Sequence, residues 1–532
     1  MQGNTTFKQK FNAFSHKLFG TTPGDGDVQP SEAWSYGIAG IGQNFICTVI
    51  GSYLTVFMTD ALGFNNVTKI GGLTASVAVA IFMLAARIFD ALNDPIMGSI
   101  VDKTRTKWGK CRPYLLWMAI PIGILTILCF LPVYPRNMDG FLACGFIYVI
   151  WSVAYTIADV PYWGLSTTMT NNTTKRGNIL TIVRLFCTAG AGIVTVFVPI
   201  ITSAATSQYM VDGYVDPARS TEYMRTLQWT YFIIAAVLVI VSIPMFYIGF
   251  KNTKERLGTI ESGQKPPSFI HNLKLLFKNK PLMLVVLSGI LGGARMVYTY
   301  TGGLYFCMYV LQSAEIYSVL TLLVVPGGLI ASVLCPWLTK KFTKKWSFIG
   351  SHIIGAAAMV IMLFMWDYEE GKFIGSGTLG TAGLVVSVIC MIIVGIPQGI
   401  ANIMSYAMIG DTVEYLEWKT GERAEGICFS MQTFISKIGM AVGAFIGVIA
   451  YFMSGVDSEN AAATLDLAGK NRMWLMLVLS SAVSFIACVI PLFFYNISEN
   501  KQRWYVEEIR KRKEAEAALS GAENVETAAE NE

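Results

Sequence analysis

The sequence predicts an all-α membrane protein with twelve transmembrane helices in two six-helix bundles. Three observations predict it. First, 53% of the 532 residues are hydrophobic and only 14% are charged. Mean hydropathy is +0.51, whereas a soluble domain carries about 25% charged residues. Second, apolar runs near the roughly 20 residues needed to span a bilayer recur about twelve times. Third, Lys and Arg concentrate in alternate loops, and one long basic loop, 251–281, divides the runs into six and six.

The chain opens with a segment, 1–33, that includes FKQKFNAFSHKLFG. It lacks the apolar core and small-residue cleavage site of a signal peptide, so the first apolar run is expected to remain. The N-terminal bundle, 34–250, holds runs near 35–58, 70–101, 113–133, 140–164, 178–203 and 228–250. The C-terminal bundle, 282–497, holds runs near 282–311, 315–338, 346–366, 379–410, 424–453 and 471–496. Several exceed one span, and Gly or Pro interrupts some, as in VGIPQGIAN (394–402), so tilted or bent helices are expected. Lys103, Arg105, Lys107 and Lys110 follow the second run, and TKKFTKKW (339–346) follows the eighth. KNTKERLG and KLLFKNK fill the central loop, and KQRW and IRKRK open the tail, 498–532. YPRNMDG (134–140) and WDYEEGK (366–372) show no such excess. The positive-inside rule then places both termini and the basic loops in the cytoplasm of a cell-membrane protein. SFIHNLKLLFKNK (268–280) reads as a short surface helix or an amphipathic linker, and GAENVETAAENE as an acidic, disordered end. A basic loop after the second run of each half suggests two related bundles with a site between them near the midplane.

Several classes are excluded or unsupported. The net charge of +5 is small and concentrated in loops, so no nucleic-acid partner is expected. The 10 cysteines are scattered without a CxxC pair and read as buried packing. His16, His271 and His352 are isolated, so no histidine metal centre is readable. No Walker loop or GxSxG elbow appears, which argues against an ATP-driven pump and against an enzyme. Asn66-Val67-Thr68 matches a glycosylation sequon, a pattern frequent by chance.

The charged residues inside the apolar runs carry the functional signal. RIFDALNDPIMGSIVDKTRTKWGKCRP (87–113) places Asp90 and Asp94 on one helical face, with Asn93 beside it. Asp90 falls roughly 18 Å from the start of the basic loop, deep in the bilayer. Acids there are costly and functional by default. A monovalent cation between them, sodium or a proton, relieves their repulsion; the alternative is a static partner such as Arg87 or a base on another helix. Asp159, in YTIADVPYWGL (155–165), is a third acid, with Tyr155, Thr156, Tyr162 and Trp163 around it. A carboxylate among aromatic rings suits a sugar, whose hydroxyls donate to it while the rings stack on its apolar face. Arg184, Arg295 and Lys437 are the bases within the apolar runs, and each is a candidate ion-pair partner. The guanidinium of Arg295, beside Gly292 and Gly293, is suited to hold a substrate carboxylate.

RIFDALNDPIMGSIVDKTRTKWGKCRPYLL, with YGIAGIGQNF, ADVPYW, GDTVEYLEWKTGERAEG and SMQTFISKIG, resembles the glycoside–pentoside–hexuronide:cation symporters, a branch of the major facilitator superfamily. The resemblance covers roughly residues 34–500. It implies the major facilitator fold and alternating access, in which cation entry drives sugar uptake. It also implies a cation site of Asp90, Asn93, Asp94 and Thr156, with sodium held by Asp90 and Asp94. Its sugar site falls on Asp159, Trp163, Arg184, Gln432, Thr433 and Lys437, with Tyr155 alongside. Asp411 and Glu414, with Glu417 near them, would form an inner gate of ion pairs joining the bundles. Two positions depart from the family's α-galactoside carriers. Gln43-Asn44 replaces a Lys-Asp pair, which puts Asn44 at a sugar-contacting position, and Asn402 stands where a tryptophan is expected. With Arg295 added, these departures point to an anionic sugar such as a hexuronide. The expected partners are a sugar or glycoside, a monovalent cation and membrane lipid, with no organic cofactor and a monomeric chain. A neutral oligosaccharide symporter and the related sodium-coupled lysophospholipid carriers are the alternatives.

Overall fold

The computed structural model describes residues 12–16, 28–104, 106–170, 173–211, 214–256, 269–299, 301–377, 380–422, 425–456 and 465–529. Arg105, the end of KNTKERLG and the last three residues of the tail lie outside them. The first half runs α1 (Pro30–Thr48), α2 (Ala75–Lys103), α3 (Arg112–Trp117), α4 (Ala119–Cys129), α5 (Met138–Met169), α6 (Thr173–Thr206) and α7 (Ser220–Asn252). The second half runs α8 (Phe269–Lys278), α9 (Lys280–Leu291), α10 (Thr301–Tyr305), α11 (Ala314–Leu363), α12 (Thr381–Thr420), α13 (Glu425–Ser454), α14 (Leu467–Ala487) and α15 (Val489–Phe493). The tail is α16 (Glu499–Ala529). Chain continues from α1 through π-turns to Ala61, and from α9 through a 3-10 stretch, Gly293–Thr299, to α10.

The protein is an all-α membrane protein, with three differences from expectation. Among the described residues, eleven helices, not twelve, are long and apolar enough to span. The third expected run is present as α3 and α4, broken at Met118. Pro121 has no N–H to offer the carbonyl of Trp117, four residues back, so the helix opens there. The basic stretch 339–346 holds the turn expected between the eighth and ninth runs: α11 is two helices that meet at Thr343 (φ 67°, ψ 162°), with apolar spans Ala314–Ala331 and Lys341–Leu363. The acidic tail is helical to Ala529 rather than disordered, consistent with the high helix propensity of its Ala and Glu residues. Three two-residue hairpins, Lys69–Ile70 with Leu73–Thr74, Met210–Val211 with Tyr214–Val215, and Trp366–Asp367 with Lys372–Phe373, stand among the helices.

Packing reverses the pattern of a soluble protein. On α2 the exposed stripe is Ile81, Ile88, Leu92, Ile96 and Ile100. The buried stripe is Met83, Arg87, Asp90, Asp94, Met97 and Val101. Both repeat every three or four residues, so one helix presents apolar side chains to lipid and charges to the interior. Within the second half, α11 and α12 approach through glycine. A Cβ at Gly327 would lie 2.1 Å from the Ile392 carbonyl oxygen, and one at Gly395 would lie 2.2 Å from that of Val324. Small residues let the backbones meet where lipid supplies no hydrophobic drive between helices.

The halves meet along two seams, α2 against α13 and α6 against α11. At the hairpin end the seams are stitched by hydrogen bonds. Thr59 and Tyr305 share one of 2.7 Å. Asn66 donates to the Val456 and Tyr451 carbonyls at 2.6 and 3.3 Å. Ser203 donates to Glu315 and Ser318 to the Val196 carbonyl. At the basic end, Arg256 pairs with Glu32 and Lys344 with Asp411, each within its own half.

Candidate functional site

The inward face of α2 brings Asp90 and Asp94 against α13, and Lys437 answers them. Its Nζ donates to Asp94 Oδ1 at 2.6 Å and lies 3.2 Å from Asp90 Oδ2. All three residues are buried. Thr156, on α5, donates to Asp90 Oδ1 at 2.7 Å. The ammonium therefore stands among carboxylate and hydroxyl oxygens. Asp94 Oδ2 accepts no hydrogen bond among the described residues, so the site retains a free oxygen. Asn93 is half-buried beside it. Arg87, one turn earlier, lies with its guanidinium 5.9 Å from the Tyr148 ring centre. The resemblance set Lys437 among the sugar ligands. The structure places its charge between the acids instead, because α13 packs along α2.

Asp159 lies three residues after Thr156, so the same face of α5 serves both clusters. Its Oδ1 accepts from Trp163 Nε1 at 3.1 Å, from the Tyr155 hydroxyl at 3.5 Å, and from Gln43 Nε2. Gln43, not Asn44, makes this contact. Asn44 donates back to the Gly40 carbonyl at 3.0 Å in its own helix. Neighbours on a helix point about 100° apart, and only packing shows which of the two faces inward. Arg184, on α6, donates to the Tyr406 hydroxyl across the seam. Its guanidinium lies 4.7 Å from the Tyr406 ring centre and 5.3 Å from that of Trp163. Such stacking over aromatic faces is attractive.

A cavity of about 210 Å³ opens in the second half, walled in part by Arg295, Asn402, Gln432, Ser288, Ser405 and Ser436. Among the described residues, Arg295 is the one charged side chain in its lining. Thr433 is half-buried next to Gln432 and does not line it. The structure thus divides the expected sugar residues. Tyr155, Asp159, Trp163 and Arg184 gather in the first half, while Arg295, Asn402 and Gln432 gather in the second, with Lys437 between.

The expected gate residues lie within one half. Asp411 binds Lys344 Nζ through both oxygens, at 2.6 and 2.7 Å. Glu414 accepts from Gln502 of α16 at 2.8 Å. Both ties staple α12 to its own bundle, because the break at Thr343 turns Lys344 towards α12 and the tail helix crosses beneath. Gln43, Tyr406 and Asn66 make contacts that sequence reading did not anticipate. Each is neutral, and a neutral polar residue in an apolar run carries no strong cost signal. The sequon asparagine, Asn66, is engaged with two carbonyls of the opposite half.

Two helical halves, packed along paired seams around buried charges, define a secondary transporter of the major facilitator fold. The chain belongs to the MFS/sugar transport protein family, whose model matches residues 35–499. It is 28% identical to the isoprimeverose transporter of Lactiplantibacillus pentosus, over 88% of this chain and 89% of that one. It is 26% identical to the glucuronide carrier protein homolog of Escherichia coli K12, over 91% and 96% respectively. An inward-facing bacterial homolog of the human lysosomal transporter Spinster shares the fold at a TM-score of 0.56, with 12% identity over 90% of this chain and 96% of that one. The protein is a sugar symporter of the major facilitator superfamily, and not an enzyme.

Proposed function

We propose that the protein couples entry of a monovalent cation, sodium or a proton, to uptake of a glycoside, with hexuronides as the favoured class. The observation that carries the coupling is the Asp90–Lys437–Asp94 arrangement at the seam of the halves. An internal ammonium holds the two acids in this conformation. A cation entering between them replaces that ammonium and releases α13 from α2. Lys437 is then free to turn towards sugar bound near Asp159. Cation and sugar each raise the other's affinity, as linkage requires. Asp159, Trp163 and Tyr155 offer an acid and aromatic faces to sugar hydroxyls and ring. Arg295 offers a fork-shaped partner to a uronate carboxylate. The polar cavity lining, with three serines, Asn402 and Gln432, favours sugar over a lysophospholipid chain. The basic end is the cytoplasmic one by its charge. Stitching at the hairpin end then makes this an inward-open arrangement.

The test is thermal stabilisation of the purified protein by glucuronides and matched neutral glycosides, with and without sodium, at two pH values. Stabilisation by a glucuronide that grows with sodium supports the whole reading. Stabilisation by neutral glycosides alone discards the hexuronide, and insensitivity to sodium and pH discards the coupling.

A further inference from the structure

We infer that His352 positions Arg295 to receive a ligand's carboxylate in the second-half cavity; the inference rests on the hexuronide reading of that cavity. His352 lies on α11 beyond the Thr343 break and is wholly buried. Its ring stacks on Phe348 with centroids 3.9 Å apart and meets the Phe485 ring at 5.7 Å. Nδ1 is 2.8 Å from the Phe348 carbonyl oxygen, and Nε2 is 3.4 Å from Arg295 Nη1. A carbonyl only accepts, so Nδ1 carries the proton. A guanidinium only donates, so Nε2 must be the acceptor. Together the two contacts demand one tautomer of the neutral ring. Imidazole is otherwise an unusual choice for a wholly buried place between two phenylalanines.

Two further devices hold the same arginine. Its backbone N–H donates to Ser484 Oγ at 3.1 Å, and that hydroxyl donates to the Leu291 carbonyl at 2.7 Å. A Cβ at Gly292 would lie 2.3 Å from Arg295 Nη1, so glycine leaves the guanidinium its place. The cavity wall offers this fork among neutral polar groups such as Ser288, Gln432 and Ser436. A planar carboxylate matches a guanidinium fixed in orientation through paired N–H donors, and a neutral hydroxymethyl group in its place does not. His352 thus acts through Arg295 as a specificity device, without touching sugar itself.

Uptake of a glucuronide and of the matching neutral glucoside into liposomes tests this. His352→Leu keeps volume and removes the acceptor. It should raise KM for the glucuronide about tenfold, the scale of one hydrogen bond to a charged group, while the glucoside KM and both Vmax values stay within about twofold. His352→Gln, whose amide oxygen can accept, should recover most of the loss. Gly292→Ala should copy His352→Leu, and it carries the test if the leucine variant does not fold. Equal changes for both sugars in His352→Leu and Gly292→Ala would mean a structural histidine and overturn the inference. Arg295→Gln separates the two readings. If it abolishes glucuronide preference while the His352 variants keep it, only the positioning role falls. If it leaves the preference intact, or the wild type has none, the hexuronide reading falls and takes the inference with it.

Discussion

Asp90 and Asp94 show how one side chain can be read at two levels. Their sequence cost, two acids in an apolar run, marks them as functional. Their partner, Lys437, is 343 residues away from Asp94 and is supplied by the other half. Replacing Asp94 with Asn leaves Lys437 facing one acid and removes the oxygen that accepts no hydrogen bond. We expect the cation-dependent shift in thermal midpoint to vanish and accumulation against a gradient to stop, while sugar exchange survives. Cation titration by calorimetry and uptake against exchange in vesicles would check this. Asp159→Asn keeps one oxygen to accept from Trp163, Tyr155 and Gln43, but removes the negative charge and the second oxygen offered to sugar hydroxyls. Apparent sugar affinity should fall by about tenfold or more, matching the roughly 1–3 kcal/mol cost of unsatisfied buried polar groups. Binding measured by intrinsic tryptophan fluorescence would show it, and unchanged affinity would remove Asp159 from the site. The acids and bases were legible because charge is conspicuous in hydrocarbon. Gln43, Tyr406 and Asn66 were not, because neutral polar residues are common in apolar runs and only contact across the seam gives them a role.

At the scale of elements, composition located the helices and the basic turn that holds Thr343, but not the opening at Met118. Pro121 opens the chain between α3 and α4, yet Pro161 and Pro199 sit inside unbroken helices. Whether proline breaks or is absorbed depends on what neighbours supply to the freed carbonyl. Thr343 is the converse case, a break without proline or glycine. Its backbone lies in a region that essentially only glycine occupies without strain, at a cost of order 1–3 kcal/mol. Thr343→Gly should therefore raise the thermal midpoint of the detergent-purified protein, by about 1 kcal/mol after the entropy glycine adds to the unfolded chain. A lower midpoint would show that the β-branched side chain holds the break in some other way. Gly395→Val tests the close approach of α11 and α12. The valine side chain has nowhere to go between two backbones, and we expect a loss of about 1–3 kcal/mol or more, seen as a lower midpoint and reduced folded yield.

For the whole molecule, the two halves are joined by a few hydrogen bonds at the hairpin end and by charges at mid-depth. That distribution makes the hairpin end the closed one. Asn66→Ala removes both of its donations to the opposite half, worth about 1–2 kcal/mol together. Labelling of Thr59→Cys by a hydrophilic thiol reagent, in a background lacking the native cysteines, should rise severalfold when Asn66→Ala is added. No change would mean that Asn66 does not bias the closed state. By itself the sequence determined the class of fold, the places of most spans, and the acidic residues of the candidate cation site. Those follow from transfer free energies, which belong to each segment and each charge separately. Tertiary structure alone decided that Lys437 sits with the acids, that Gln43 and not Asn44 reaches Asp159, and that Asp411 pairs within its own half. Those are pairings between distant helices, set by packing angle and rotation about each axis, and no local pattern of residues encodes them.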